Sequence, residues 1–156
     1  MMTKQGDLSL LKDPVVEGLL ASSNVARLAY NWLNGTPRVV PIWFTWTGEE
    51  IVLGSPPKAP KLRALKANPD VALTIDSDAS WPYKALLVRG KAKVEMVPGI
   101  APEYAQSARR YFGDEQGDAW VEQMKSMVSE MARIAIKPGW VGVLDFETRF
   151  PSALAG

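Results

Sequence analysis

The chain has 156 residues, 18 of them basic and 17 acidic, and contains neither cysteine nor histidine. That composition excludes thiolate nucleophiles, Ser-His and Cys-His catalysis, histidine-ligated haem and the common zinc sites, so no metal centre is expected. A near-zero net charge supplies no global field toward nucleic acid or an anionic membrane, and neither is an expected partner.

The length suits one domain over residues 1–156, with a core that needs no disulfide. The N-terminal MMTKQGDLSLLKDP lacks a long apolar region, and no stretch approaches the roughly twenty apolar residues of a membrane span, so a cytoplasmic location is the expectation. Apolar positions from Leu8 to Leu20, with Asp13-Pro14 as an entry signal, predict a short helix over about 14–21 that packs on a sheet. NVARLAYNW follows as a first strand, and Asn34-Gly35 marks a hairpin turn into a second strand that begins at Arg38.

The stretch from Arg38 to Pro69 is the densest in signals. It reads as a β hairpin of VVPIWFTW and IVLGS turned at Thr47-Gly48-Glu49-Glu50, then a proline-rich loop, then a helix entered at Lys61 and stopped by Asn68-Pro69. Pro41 removes a backbone donor from the second strand, which requires an edge, a bulge or a backbone opened toward a flat ligand. At the loop-to-helix junction, unpaired N–H groups and the positive end of the helix favour an anion. Pro60 suits the first helical position, Lys58 and Lys61 lie three residues apart, and Ser55 offers a hydroxyl. The alternative is that both lysines are solvated and Ser55 only ends a strand.

Downstream, VALTID is a continuous apolar strand expected in a central position. Asp76-Ser77-Asp78 reads as a turn rather than a carboxylate pair. WPYKALLVRGKAKVEMV is a long strand whose Gly90 predicts a bulge or bend of the kind that curls a sheet into a barrel. Two helices separated at Gly113 follow, with Trp120, Met124, Met127, Val128 and Met131 as an apolar stripe read as core. RIAIKPGWVGVLDFE is the last strand, interrupted by Pro138-Gly139. Six tryptophans are many for this length, and four of them (Trp32, Trp43, Trp46, Trp81) fall on or beside predicted strands. Closely spaced antiparallel strands with helices at the flanks predict a mainly β, α+β barrel rather than a parallel sheet.

These residues resemble the flavin-binding split β-barrels of the pyridoxamine 5′-phosphate oxidase-like family. The pattern is carried by Arg38-Val39-Val40-Pro41-Ile42-Trp43, then Ser55, Lys61, Leu65, Asn68-Pro69 and VALTID, and the similarity runs from about Val25 to Asp145. It implies that Ser55 and Lys61 hold a cofactor phosphate with Lys58 as helper, and that Arg38 faces the cofactor while Val40, Pro41, Ile42 and Trp43 run beside its ring. It also implies a homodimer with the cofactor at the interface, which would bring in Lys84 or Trp81 from the partner chain.

Ala59-Pro60 stands where the oxidase itself has Ser-Arg, and there is no histidine for its substrate site, so the resemblance marks the barrel and not vitamin oxidation. The chain looks closer to short members that use FMN or a 5-deazaflavin coenzyme of the F-420 type. The resemblance therefore implies a flavin- or deazaflavin-dependent oxidoreductase acting on a small planar substrate; a non-catalytic flavin- or deazaflavin-binding carrier is the alternative. Without histidine or cysteine, proton delivery would fall to Tyr83, Lys84, a carboxylate or solvent.

Overall fold

A computed structural model describes residues 3–77 and 80–149 of the chain. A 3₁₀ turn at Leu8–Lys12 leads into α1 (Pro14–Ala21), which is entered as its sequence predicts: the Asp13 carboxylate accepts from Val15 N at 2.9 Å, with Pro14 in the first turn. The order continues β1 (Ala26–Asn31), β2 (Pro37–Ile42), β3 (Thr45–Trp46), β4 (Ile51–Ser55), α2 (Lys61–Ala67), β5 (Asp70–Asp76) and β6 (Lys84–Pro98). Two helices, α3 (Pro102–Phe112) and α4 (Asp114–Met127), then precede β7 (Glu130–Asp145).

Among the described residues, the seven strands join one antiparallel sheet in the order β2-β1-β5-β6-β7-β4-β3. The result is a mainly β split barrel with flanking helices. Inward positions alternate along β1, β5 and β6, with Ala26 and Leu28, then Leu73 and Ile75, then Leu86 and Val88, and they meet Leu62 and Leu65 of α2 and Val16 of α1 in one core. As expected of an apolar run, β5 is central, lying between β1 and β6.

The hairpin expected over residues 38–55 is divided. The run breaks at Trp43-Phe44: β2 pairs with β1, whereas β3 pairs with β4 across the Thr47–Glu50 turn. Because β2 and β3 are the two ends of the sheet order, this dipeptide carries the chain from one edge to the other and holds the curled sheet together. Buried Phe44 fixes the crossing in the core.

Pro41 costs no ladder bond. Trp32 donates to Thr36 O, and in that register the even-numbered residues of β2 face β1 while 37, 39 and 41 face outward. Pro41 therefore sits on an edge strand where its missing donor would have pointed away from the sheet.

Gly90 is the predicted bend. The β6–β7 register slips between Arg89 and Gly90, leaving Gly139 as the extra residue. A Cβ at Gly90 would lie 2.6 Å from the Lys137 carbonyl oxygen, so the backbones approach too closely for any side chain.

The predicted stripe from Trp120 to Met131 does not stay on one helix. α4 ends at Met127, which is exposed, and Met131 already belongs to β7. Pairing of β7 to both β4 and β6 prevails over helix propensity here. Met124 and Met131 still meet, in a small second cluster with Ala101.

Candidate functional site

Where the chain crosses between sheet edges, α3 grips it. Glu103, Ser107 and Arg110 follow one another at helical spacing and face residues 44–45. Thr45 Oγ1 donates to Glu103 O at 2.8 Å, Ser107 Oγ contacts Thr45 Oγ1 at 2.7 Å and Phe44 O at 3.0 Å, and Arg110 Nη2 donates to Phe44 O. The Arg110 guanidinium also lies over the Phe44 ring, 4.8 Å from its centroid. Glu103 in turn takes Arg133 Nε and Nη2 on Oε1 at 2.9 and 2.6 Å, tying α3 to β7. Arg133 holds the Glu103 carboxyl below its ordinary pKa, the hydrogen bond being the main cause.

The neighbouring face of α3 holds the Trp43 side chain. Tyr111 stacks on the indole, while Phe112 meets it edge-on at 5.1 Å and Tyr104 at a tilt at 5.5 Å. The Tyr111 hydroxyl donates to Asn24 O at 2.6 Å, and burial raises its pKa above the ordinary tyrosine value. Tyr104 approaches β4 closely because residue 54 is glycine: a Cβ there would lie 2.6 Å from Tyr104 Cδ2.

These contacts leave a cavity of about 500 Å³ lined by Val40, Pro41, Ile42 and Trp43 on one side, Gly54, Pro56 and Lys61 on another, and Tyr104, Phe112 and Trp120 on the third. Its volume lies in the roughly 300–1,000 Å³ range of small-molecule sites. Among the described residues, Lys61 is the sole charged side chain in the lining. It makes no ion pair or hydrogen bond with the other described residues, and desolvation lowers its pKa below the ordinary lysine value. A desolvated ammonium without a described partner at the end of an aromatic cleft can hold an anion.

Five of the nine residues singled out in the sequence thus converge: Val40, Pro41, Ile42, Trp43 and Lys61. Ser55 lies between two lining residues but is itself 1% exposed on the opposite side of β4 from Gly54, and its hydroxyl reaches only Pro56 O at 3.5 Å. Lys58 is exposed in the preceding loop. Arg38 stands at the far end of β2, five residues or about 17 Å from Trp43 at strand spacing, with its guanidinium on Thr36 Oγ1 at 2.7 Å and over Trp32.

Lys84 lines a different cavity, of about 610 Å³, together with Tyr83, Phe146, Arg27 and Asp76. It pairs with Glu147 at 2.9 Å, which raises its pKa, and Asp76 pairs with Arg27. Asp78 lies outside the described residues. Among those that are described, no group of acidic side chains gathers in a way that could hold a metal ion, and no helix is long and apolar enough to cross a membrane.

The helix-end donors expected at residue 61 are partly used. Leu62 N and Arg63 N already bond to Ala59 O and Pro60 O, and α2 has only seven residues, so the cation of Lys61 dominates what this junction offers an anion. Of the aromatic third of the cavity, Trp120 alone was singled out in the sequence, within an apolar stripe read as core. The signal for Tyr104 and Phe112 was their spacing with Tyr111, at i, i+8 and i+7 on one face of a helix.

The family model described as pyridoxamine 5′-phosphate oxidase matches residues 13–144. Among solved structures, one titled F420 reductase is 26% identical with a TM-score of 0.61, covering 81% of this chain and 94% of that one. A conserved hypothetical protein from Mycobacterium tuberculosis aligns at 19% identity and a TM-score of 0.69, over 94% and 90% of the two chains. HutZ, described as the heme storage protein from Vibrio cholerae, aligns at 18% identity and a TM-score of 0.60, over 85% and 93%; at these identities the last two share the fold alone. No curated protein sequence gives a significant match.

Proposed function

The chain belongs to the pyridoxamine 5′-phosphate oxidase family, and from that premise we propose that it is an oxidoreductase that binds a phosphate-bearing flavin-type cofactor in the cavity between β2, α2 and α3. The observation that carries this reading is the convergence of Val40–Trp43 with a desolvated, unpaired Lys61 in one cavity. Lys61 holds the phosphate, with Lys58, three residues before it, as helper. The β2 segment and Trp43 form the wall for the ring. When bound, such a cofactor supplies hydride chemistry, and the protein supplies binding, orientation and the exclusion of water.

Between FMN and a deazaflavin coenzyme of the F-420 type, the 26% identity to a chain titled F420 reductase supports the deazaflavin. A homodimer, as the family resemblance implies, is the arrangement in which Lys84 of a second copy would reach this cavity. The substrate is a small planar molecule stacked over the ring, against the aromatic side formed by Tyr104, Phe112 and Trp120.

The test is a parallel titration of the purified protein with FMN and with the deazaflavin coenzyme, followed by absorbance and fluorescence, then turnover with a reduced nicotinamide or a reduced deazaflavin. Binding of the deazaflavin with reductive turnover supports the proposal. Binding without turnover under any donor would make the protein a carrier, and binding of neither cofactor would overturn the reading.

A further inference from the structure

We propose that the cavity bounded by the 3₁₀ turn, α1, β3 and α3 is a second binding site, for a small monocarboxylate with an apolar body. It has a volume of about 680 Å³ and shares no lining residue with the cavity assigned to the cofactor, so it stands independently of that assignment. Leu8, Leu11, Leu20 and Trp46 give it apolar walls, and α3 contributes Gln106 and Arg110.

Arg110 is the anchor. It is half-buried, and its partners are neutral: Nη2 donates to Phe44 O, and the Phe44 and Tyr111 rings lie 4.8 and 5.3 Å from the guanidinium. No carboxylate pairs with it among the described residues, and its Nε is buried without a partner. A cation that has lost part of its hydration without meeting a negative charge favours an anion, and the guanidinium fork matches a carboxylate.

A backbone donor stands on the same rim. Thr45 lies opposite Val52 and Thr47 donates to Glu50 O, so residues 45 and 47 turn their backbone groups toward β4 while those of Phe44 and Trp46 point away from it. β3 ends the sheet, which leaves this rim open. Arg110 holds the Phe44 carbonyl there, and the next donor along is the Trp46 N–H, which no described residue accepts. Gln106, one helical turn before Arg110, adds a side-chain amide with no partner among the described residues.

The charges of the lining set the charge of the ligand. Lys12 and Arg110 are cationic and Glu17 is anionic, and neither Lys12 nor Glu17 has an ion-pair partner among the described residues. One negative charge balances the set. A phosphate dianion would exceed it and meet Glu17 at greater cost.

The test is calorimetric titration of the protein as purified, at fixed salt, with 4-phenylbutanoate, the alcohol 4-phenylbutan-1-ol and the amine 4-phenylbutylamine. The carboxylate should bind about tenfold or more tighter than the alcohol, and the amine should bind weakest. Glu17→Gln, at an exposed helix position, should tighten carboxylate binding about two- to fivefold. Arg110→Lys, which keeps the charge and loses the fork, should weaken it about tenfold. Lys61→Met should leave it unchanged, and the Trp46 amide proton should move downfield in the NMR spectrum as the carboxylate is added.

Equal affinity for carboxylate and alcohol, preference for the amine, or binding of none of the three would each overturn the proposal. So would loss of binding in Lys61→Met, which would place the carboxylate in the cofactor cavity. Because Arg110 also holds the crossing at Phe44, its variant is read only if it melts as the wild type does. If it does not, Glu17→Gln and the Trp46 amide decide, and an unmoved amide or an unchanged affinity overturns the site.

Discussion

The Trp43 indole lies nearly parallel to the Tyr111 ring, with centroids 5.0 Å apart and planes 10° apart. Trp43 belongs to the crossing between sheet edges and Tyr111 to the end of α3, so this stack joins the wall of the cavity to the helix behind it. Tyr111→Phe keeps the stack and removes the bond to Asn24 O, and should cost about 0.5–1.5 kcal/mol of stability with cofactor affinity unchanged.

The same variant carries a pH signature. Burial raises the Tyr111 pKa in the folded state. Its contribution is therefore intact below the ordinary tyrosine value and is lost as pH rises from there through the raised folded value. Thermal melts of wild type and Tyr111→Phe from about pH 8 to about pH 11 should converge toward the alkaline end, where the wild type alone pays for ionising this phenol. A gap that does not change with pH would contradict this account.

Lys61 should trade stability for binding. Its folded pKa is lowered by desolvation. At neutral pH the charge is present in both folded and unfolded chains and folding carries the desolvation cost, which lifts as pH climbs through the folded value toward the ordinary lysine value. Lys61→Met keeps an apolar stem and should raise stability of the cofactor-free protein by about 0.5–1 kcal/mol at neutral pH. Fluorescence titration at fixed salt should show cofactor affinity weakened by about 1.5–3 kcal/mol, the range for a hydrogen bond to a charged group.

Much of this was legible in the sequence, and the parts that were not have a common cause. Gly90, the Thr47–Glu50 turn, Asn68-Pro69 and the central apolar strand are local signals, because turn chemistry and a missing side chain act on adjacent backbone. Lys61 was legible in the loop-to-helix junction and Pro41 in its missing donor, while Val40, Ile42 and Trp43 were legible through a resemblance whose motif spans them. The break at Trp43-Phe44 was not, since both halves have strand character and only pairing with distant strands divides them. The face on which Ser55 sits depends on the alternation of β4 within the closed barrel, and the place of Lys84 depends on the pairing of β6 with β7, where it stands opposite Asp145. Tyr104, Phe112 and Trp120 looked like any apolar helix face until α3 and α4 were folded over the crossing.

Glu103 should make the fold sensitive to acid. Its pKa is depressed mainly by the hydrogen bond from Arg133, so the stabilisation is present above the ordinary glutamate value and is lost as pH falls through the folded one. Glu103→Gln leaves one oxygen for Arg133 but no charge, and should cost about 1.5–3 kcal/mol at neutral pH. Melting curves taken down to about pH 3 should fall less steeply for the variant than for the wild type, because the variant has no carboxylate there to protonate.

Two glycines separate soft from hard collisions. Gly54→Ala meets the Tyr104 ring at 2.6 Å and Met131 Sδ at 3.0 Å, whereas Gly90→Ala meets a backbone carbonyl at 2.6 Å. Side chains yield more readily than paired strands, so Gly54→Ala should cost about 1–3 kcal/mol and displace Tyr104, and Gly90→Ala should cost more. Urea midpoints with unchanged slopes would rank them.

The two prolines of β2 have a consequence for life among other proteins. An edge strand with a free row of donors and acceptors is a template on which a stranger's strand can grow, and β2 is such an edge. Of its three outward positions, 37 and 41 are proline, which leaves the Val39 N–H as the one donor on that rim. A visiting strand would find a row of carbonyls and almost nothing to answer its own. The residue that shapes the wall of the cavity therefore also guards the barrel against fibrous self-association.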